Sequence, residues 1–226
     1  MALAGALAGQ PVGAIAEALA IPAPASARSG KGWTGSLLEI ALGAAAGNDA
    51  APDFPELGVE LKTVPLRGDG RPAESTWVTR VPLDPQQARM PWQQSVVCAK
   101  LSAVLFVPIE AQRDRWLDRR VGRPRLWRPT EAEAALLRSD YEEIMARVLG
   151  GRVDEIDARV GGVLQVRPKG RDSTARSAAV GADGHMTWTG SRGFYLRPTF
   201  VRRVLNRLSE GRGHFPPPAR GATLGA

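Results

Sequence analysis

Cysteine occurs once in this chain, at Cys98, and histidine only twice, at His185 and His214. A single thiol excludes an intrachain disulfide and points to a reducing compartment, so a cytoplasmic protein is expected. With no second cysteine and so few imidazoles, zinc sites and Cys–His or Ser–His catalytic pairs have little to be built from. Cys98 lies in the apolar stretch SVVCAKL and is expected to be a buried, inert thiol. No run of about 18 apolar residues occurs, so neither a membrane span nor a membrane partner is expected. The Ala-rich start, MALAGALAGQPVGAIAEALAIPAPASA, ends in small residues as a signal peptide does. It opens without Lys or Arg, and Gln10, Pro11 and Glu17 break its apolar stretch, so short helices packed on the domain are expected there instead.

Lysine is scarce as well. Of 30 basic residues only Lys31, Lys62, Lys100 and Lys169 are lysine, against 26 arginines. The net charge of +7 and pI near 10.4 favour a polyanionic partner, a nucleic acid or an anionic surface. A chain of 226 residues with 43% hydrophobic residues can bury one sizeable core or two small ones.

Along the chain, GWTGSLLEIALGAAA (32–46) reads as a helix with Leu37, Leu38, Ile40, Ala41 and Leu42 inside, ended by Gly43 or Gly47. ELGVELKTVPL and STWVTRVPL read as strands around the turn-like RGDGRP. LSAVLFVPI is apolar almost throughout, as in a strand covered on both faces. RDRWLDRRVGRPRLWRP reads as a basic loop that either grips phosphates or pairs internally through Asp114 and Asp118. Thr130 and Glu133 form a capping box opening a helix with Leu137, Tyr141, Ile144, Met145 and Val148 at helical spacing. GGVLQVRPKG and RGFYLRP suggest two more strands, TFVRRVLNRL an amphipathic helix, and the Pro/Gly-rich segment 209–226 a disordered tail after one domain spanning 1–208. The order of strands and helices implies an α/β fold around a mixed sheet.

The chemistry converges on Lys62. On a strand Glu60 and Lys62 share one face. Val59 and Leu61 point into the core from the other face, joined by Val64 if the strand kinks before Pro65. Asp53 lies beyond Pro55 and Gly58, where the chain can turn and bring it beside Glu60. Two carboxylates can hold a hard dication such as Mg²⁺, which polarises a phosphate and lowers the pKa of a water. A lysine beside them can steer that water or stabilise charge on the phosphate. Lysine offers a compact charge with an adjustable pKa where arginine stays protonated, a reason to keep it in an arginine-rich chain. Glu-x-Lys triplets also occur on solvated strand faces. Glu39, on the apolar helix, either sits at its edge in water or points at the same cluster.

KGWTGSLLEIALGAAAG, DFPELGVELKTVPL, LFVPIE, RRVGRPRLWRP, LQVRPKG and RGFYL, in this order from about residue 5 to 205, together resemble the MutH family of DNA mismatch-repair endonucleases. Asp53…Glu60-x-Lys62 then resembles the signature of the PD-(D/E)xK, restriction-endonuclease-like fold, a mixed sheet flanked by helices whose two lobes form a DNA cleft. The resemblance implies that Asp53, Glu60 and the Leu61 carbonyl ligate Mg²⁺ and that Lys62 is catalytic. It further implies that Glu39 and Lys100 belong to the active site and that Lys31 meets DNA. Arg167, Pro168, Lys169 and Gly170 match its GATC-reading loop, and Tyr195 matches a sensor of adenine methylation. Trp77 stands where the family has another aromatic on a DNA-contacting loop. All four lysines thus fall on functional positions. From the residues alone, Arg167 and Lys169 suit guanine edges or only phosphates.

The function implied is Mg²⁺-dependent nicking of the unmethylated strand at hemimethylated GATC sites, leaving a 5′ phosphate. The expected partners are double-stranded DNA, a MutL-type ATPase and, through it, MutS. A GATC restriction endonuclease and a DNA-binding module without catalysis are the alternatives.

Overall fold

The computed structural model describes residues 1–26, 32–45, 50–113, 115–168, 176–181, 183–211 and 213–216. Two short Ala-rich helices, α1 (Ala2–Ala6) and α2 (Val12–Ala18), precede α3 (Trp33–Leu42). Strands β1 (Glu60–Leu66) and β2 (Thr76–Arg80) follow, then helices α4 (Pro85–Ala88) and α5 (Val96–Leu101). Next come β3 (Val104–Glu110), β4 (Arg125–Trp127) and the long helix α6 (Glu131–Leu149). Strands β5 (Leu164–Pro168), β6 (Arg176–Val180), β7 (Met186–Gly190) and β8 (Arg192–Leu196) lead into α7 (Pro198–Ser209). The expected mixed α/β fold is thus present. No helix among the described residues is long and apolar enough to cross a membrane.

The strands form three sheets, ordered β1-β3-β4, β2-β8-β5 and β6-β7. Among the described residues only β1 and β3 pair in parallel. Strand β3 explains its own composition. Val104 and Phe106 enter the larger core with β5, β8, α6 and α7, while Leu105, Val107 and Ile109 enter a second core with α1, α2 and α3. A strand that serves two cores alternates between them and needs no polar face.

Strand β1 obeys the same rule, with Val59 and Leu61 directed to the second core and Val64 and Leu66 to the first. The face shared by Glu60 and Lys62 therefore continues into apolar packing, and Val64 is buried without any kink before Pro65. This burial makes Glu60 unusual, at 1% exposure.

Helix α6 begins at the expected capping box: Glu133 N–H donates to Thr130 Oγ1 (3.2 Å), and Thr130 N–H donates to Glu133 Oε2 (2.9 Å). Leu137, Tyr141, Ile144, Met145 and Val148 are all buried. Helix α3 is shorter than the expected 32–46, because Gly43 takes a left-handed conformation with φ 71° and closes it. Ile40, expected inside, is 59% exposed. It lies two residues past Leu38, about 200° round the helix and off the buried stripe.

The basic segment 113–129 is less loop-like than expected, since β4 pairs with β3 and Val121 bridges Ile109. Its internal pairing runs through Glu110, which accepts from Arg113 (2.7 and 2.6 Å) and from the Arg120 N–H (3.0 Å). Asp114 lies outside the described residues. Of the Pro/Gly-rich segment from residue 209, residues 213–215 meet Arg123. Arg123 N–H donates to the His214 carbonyl (2.7 Å), and its guanidinium donates to the carbonyls of Gly213 (3.1 Å) and Phe215 (3.0 Å). Residues 217–226 lie outside the described residues.

Candidate active site

The chain between Asp53 and Glu60 doubles back. Phe54 and Val59 exchange backbone hydrogen bonds (2.9 and 3.2 Å) around a turn that uses Pro55 and the left-handed Gly58, φ 60°. The reversal sets the Asp53 side chain against β1, where its Oδ2 accepts from the Leu61 N–H at 2.8 Å. In return, the Asp53 N–H donates to Glu60 Oε2 at 3.2 Å. The two carboxylates are brought together as the turn residues suggested.

Two ammonium groups then converge on Glu60. Lys62 Nζ donates to Oε1 from its own strand. Lys100 Nζ donates to both carboxylate oxygens at 3.0 Å and to the Ala51 carbonyl at 3.0 Å. Lys100 reaches the cluster because the apolar SVVCAKL folds as α5, capped by Ser95, which accepts from the Cys98 N–H at 3.0 Å. Val97 and Leu101 are buried, and the lysine in the last turn points to Glu60. Cys98 is half-buried rather than fully buried, and burial raises its thiol pKa, which keeps it inert.

Glu39 joins from α3. Burial raises its carboxyl pKa above the usual value, repulsion from Asp53 and Glu60 adds to the rise, and Lys62 and Lys100 oppose it. Glu39 is half-buried and lines the same cleft as Asp53, Glu60, Lys62 and Lys100.

Among the described residues no three His, Cys, Asp or Glu side chains converge as a ready-made metal cage. Magnesium keeps several waters and asks the protein for only one or two carboxylates. Asp53 and Glu60 meet that demand with hard oxygen donors. The N–H and C=O of one strand residue project to the same edge. Because the Leu61 N–H faces Asp53, its carbonyl emerges beside that carboxylate. With Glu39 the cluster sets three carboxyl groups against the two ammonium groups of Lys62 and Lys100, a donor set whose chemistry suits a hard divalent ion.

A cleft of about 870 Å³ opens over the cluster. Glu39, Asp53, Glu60, Lys62 and Lys100 line it together with Trp77 and Arg80 of β2 and Ser177 and Ala178 of β6. On the neighbouring sheet Tyr195 of β8 pairs with Trp77 on one side and Gln165 of β5 on the other. The Trp77 and Tyr195 rings meet edge-on at 5.1 Å, and the Arg167 guanidinium lies 5.9 Å from the Tyr195 ring. Burial pushes the Tyr195 phenol pKa up, against the pull of Arg167. Gly193 makes this packing possible, because a Cβ there would lie 1.9 Å from Trp77 Cζ3.

Arg167 and Pro168 are exposed at the end of β5. Lys31, Lys169 and Gly170 lie outside the described residues. The sequence reading passed over Gln165, which is buried and donates to Ser75 Oγ at 2.6 Å. Its place two residues before Arg167, on the same face of β5, was the available signal.

A family model for the DNA mismatch repair enzyme MutH matches residues 42–140, a span that holds Asp53, Glu60, Lys62, Trp77 and Lys100. The DNA mismatch repair protein MutH of Shewanella woodyi is 44% identical over 208 residues, covering 92% of this chain and 90% of the relative. The chain belongs to the MutH family. MutH of Haemophilus influenzae strain PittGG is 45% identical over 201 residues, or 88% of this chain and 90% of the relative. MutH of Shewanella baltica strain OS185 is 43% identical over 203 residues, 89% and 91%. These long matches extend the MutH likeness well beyond the span of the family model.

Proposed function

We propose that this mismatch-repair endonuclease is Mg²⁺-dependent and nicks the unmethylated strand at hemimethylated GATC sites in double-stranded DNA. The observation that carries the reading is the interlocked cluster of Asp53, Glu60, Lys62 and Lys100 on the floor of a cleft, in a chain of the MutH family. Asp53, Glu60 and the Leu61 carbonyl hold the ion. Bound magnesium supplies Lewis acidity at the scissile phosphate. Lys62, 14% exposed at the cleft floor, turns its ammonium to the negative charge that builds on the phosphate. Lys100, at 7%, keeps Glu60 oriented. Glu39 adds a carboxyl that can hold a proton nearby. The product keeps the 5′ phosphate.

Recognition is assigned to Arg167, Pro168, Lys169 and Gly170, which read GATC, and to Tyr195, which senses adenine methylation, while Trp77 and Lys31 contact the duplex. A MutL-type ATPase, licensed by MutS, triggers nicking, and the setting is the cytoplasm.

The test is purified protein with Mg²⁺ and two labelled duplexes, one with hemimethylated GATC and one scrambled, with and without MutL. Strand-specific nicks at GATC, enhanced by MutL and abolished by EDTA or by Lys62→Ala, are expected. Double-strand cuts without MutL would make the protein a restriction enzyme. Full nicking by Lys62→Ala would remove the lysine from the chemistry.

A further inference from the structure

Hairpin β6–β7 exposes two large apolar side chains, Trp188 at 68% and Met186 at 64%. Residues directly opposite in an antiparallel pair project from the same face. The register sets Trp188 against Ala178, Met186 against Val180 and Gly190 against Arg176, so Trp188, Met186 and Arg176 share one face with Ala178. The reverse face is anchored, with Ala179 and Thr189 at 0% and 7% exposure. Thr189 Oγ1 donates to Asp154 at 3.3 Å, and Ser177 and Ser191 share a hydrogen bond of 2.6 Å. The hairpin thus holds its exposed indole on a fixed base.

Ala178, directly across from Trp188, lines the cleft that contains Asp53, Glu60, Lys62 and Lys100. Ser177, on the reverse face, lines it as well, so β6 forms part of the cleft wall, and the exposed face borders the cleft through Ala178. It carries the exposed cation Arg176, in a chain whose net charge is +7. We propose that Trp188, with Met186 beside it, is a further DNA contact, an apolar platform for sugars and base edges of duplex DNA, while Arg176 pairs with a phosphate. The proposal rests on the reading that the cleft receives DNA. An indole presented this way adds binding energy without base-specific hydrogen bonds, and the arginine adds a salt-dependent phosphate contact.

The experiment uses the full chain in EDTA with a labelled GATC duplex. Hydroxyl-radical oxidation read by mass spectrometry should lose intensity at Trp188 and Met186 when DNA saturates the protein, while Met1, 67% exposed before α1, keeps it as the control. Trp188→Ala should weaken binding about tenfold with an unchanged salt slope, and Trp188→Phe should recover most of the loss. Arg176→Ala should reduce the salt slope by about one. Unchanged affinity in Trp188→Ala with unchanged oxidation under DNA would overturn the proposal. So would protection that rises with protein concentration in the absence of DNA, which would assign the face to a second copy of the chain. If the native protein binds the duplex in EDTA and nicks it once Mg²⁺ is restored, while Trp188→Ala matches it in both, only this inference fails. If the native protein neither binds in EDTA nor nicks with Mg²⁺, the underlying reading falls with it.

Discussion

Lys100 and Glu60 offer a direct test of how the cluster is held. At their 3.0 Å separation and an effective dielectric of about 20, the attraction is about 5–6 kcal/mol. Desolvation of two groups that are 7% and 1% exposed takes back most of it. Lys100→Met keeps the length of the side chain and removes the ammonium. Glu60 retains Lys62 and the Asp53 N–H, so it is not left as a bare buried charge, which would cost about 3–5 kcal/mol. The Ala51 carbonyl loses a donor at the same time. The expected loss is about 2–3 kcal/mol, a fall in Tm of roughly 4–12 °C for a chain of this size. Glu60→Gln should cost about as much, because it leaves two ammonium groups facing a neutral amide. The double variant should be less damaged than the sum of the two by about 2 kcal/mol. Urea unfolding of the four proteins measures this coupling. Additivity within ~0.5 kcal/mol would refute a shared ion pair and leave Lys100 a packing residue only.

Asp140, buried on α6, accepts from the N–H groups of Gly162 (2.8 Å), Val163 (2.7 Å) and Leu164 (2.7 Å) where β5 begins. Asp140→Asn turns an amide donor toward donors and should cost about 2–4 kcal/mol in denaturant melts, with weaker DNA binding as β5 loosens. Glu39, whose pKa is raised in the fold, disfavours the folded state once pH rises through the folded value. Glu39→Gln should therefore exceed the native protein in stability at neutral pH, with the advantage gone below the usual 4.5, in urea melts across pH. Gly193→Ala must move the Trp77 indole, 1.9 Å from the new Cβ, and should weaken DNA affinity severalfold while thermal stability changes less.

Much of the fold was legible because local chemistry and tertiary need agree. Thr130 and Glu133 announce a helix that forms as written, and the turn chemistry of Pro55 and Gly58 sufficed to bring Asp53 back to Glu60. The burial of Glu60 was not legible. It follows from β1 lying beside β3 with cores on both sides, a property of the sheet and not of the triplet Glu60-Leu61-Lys62. Lys100 was legible as a residue but not as a geometry, because α5 is an apolar stretch whose one charge finds its partner 40 residues away. Hairpin β6–β7 went unseen since RSAAV has small residues in place of an apolar alternation, and the alternation in MTWTG spans only four residues. Ile40 shows the converse error, an apolar residue placed inside by composition and left outside by helical phase.

The pairing of Lys62 and Lys100 on Glu60 also decides how the protein can be handled by amine chemistry. Of the four lysines, these two are 14% and 7% exposed and engaged with one carboxylate. Reagents that seek primary amines therefore meet the α-amino group of the exposed Met1 before either cleft lysine, and a label attached there leaves both ion pairs on Glu60 intact.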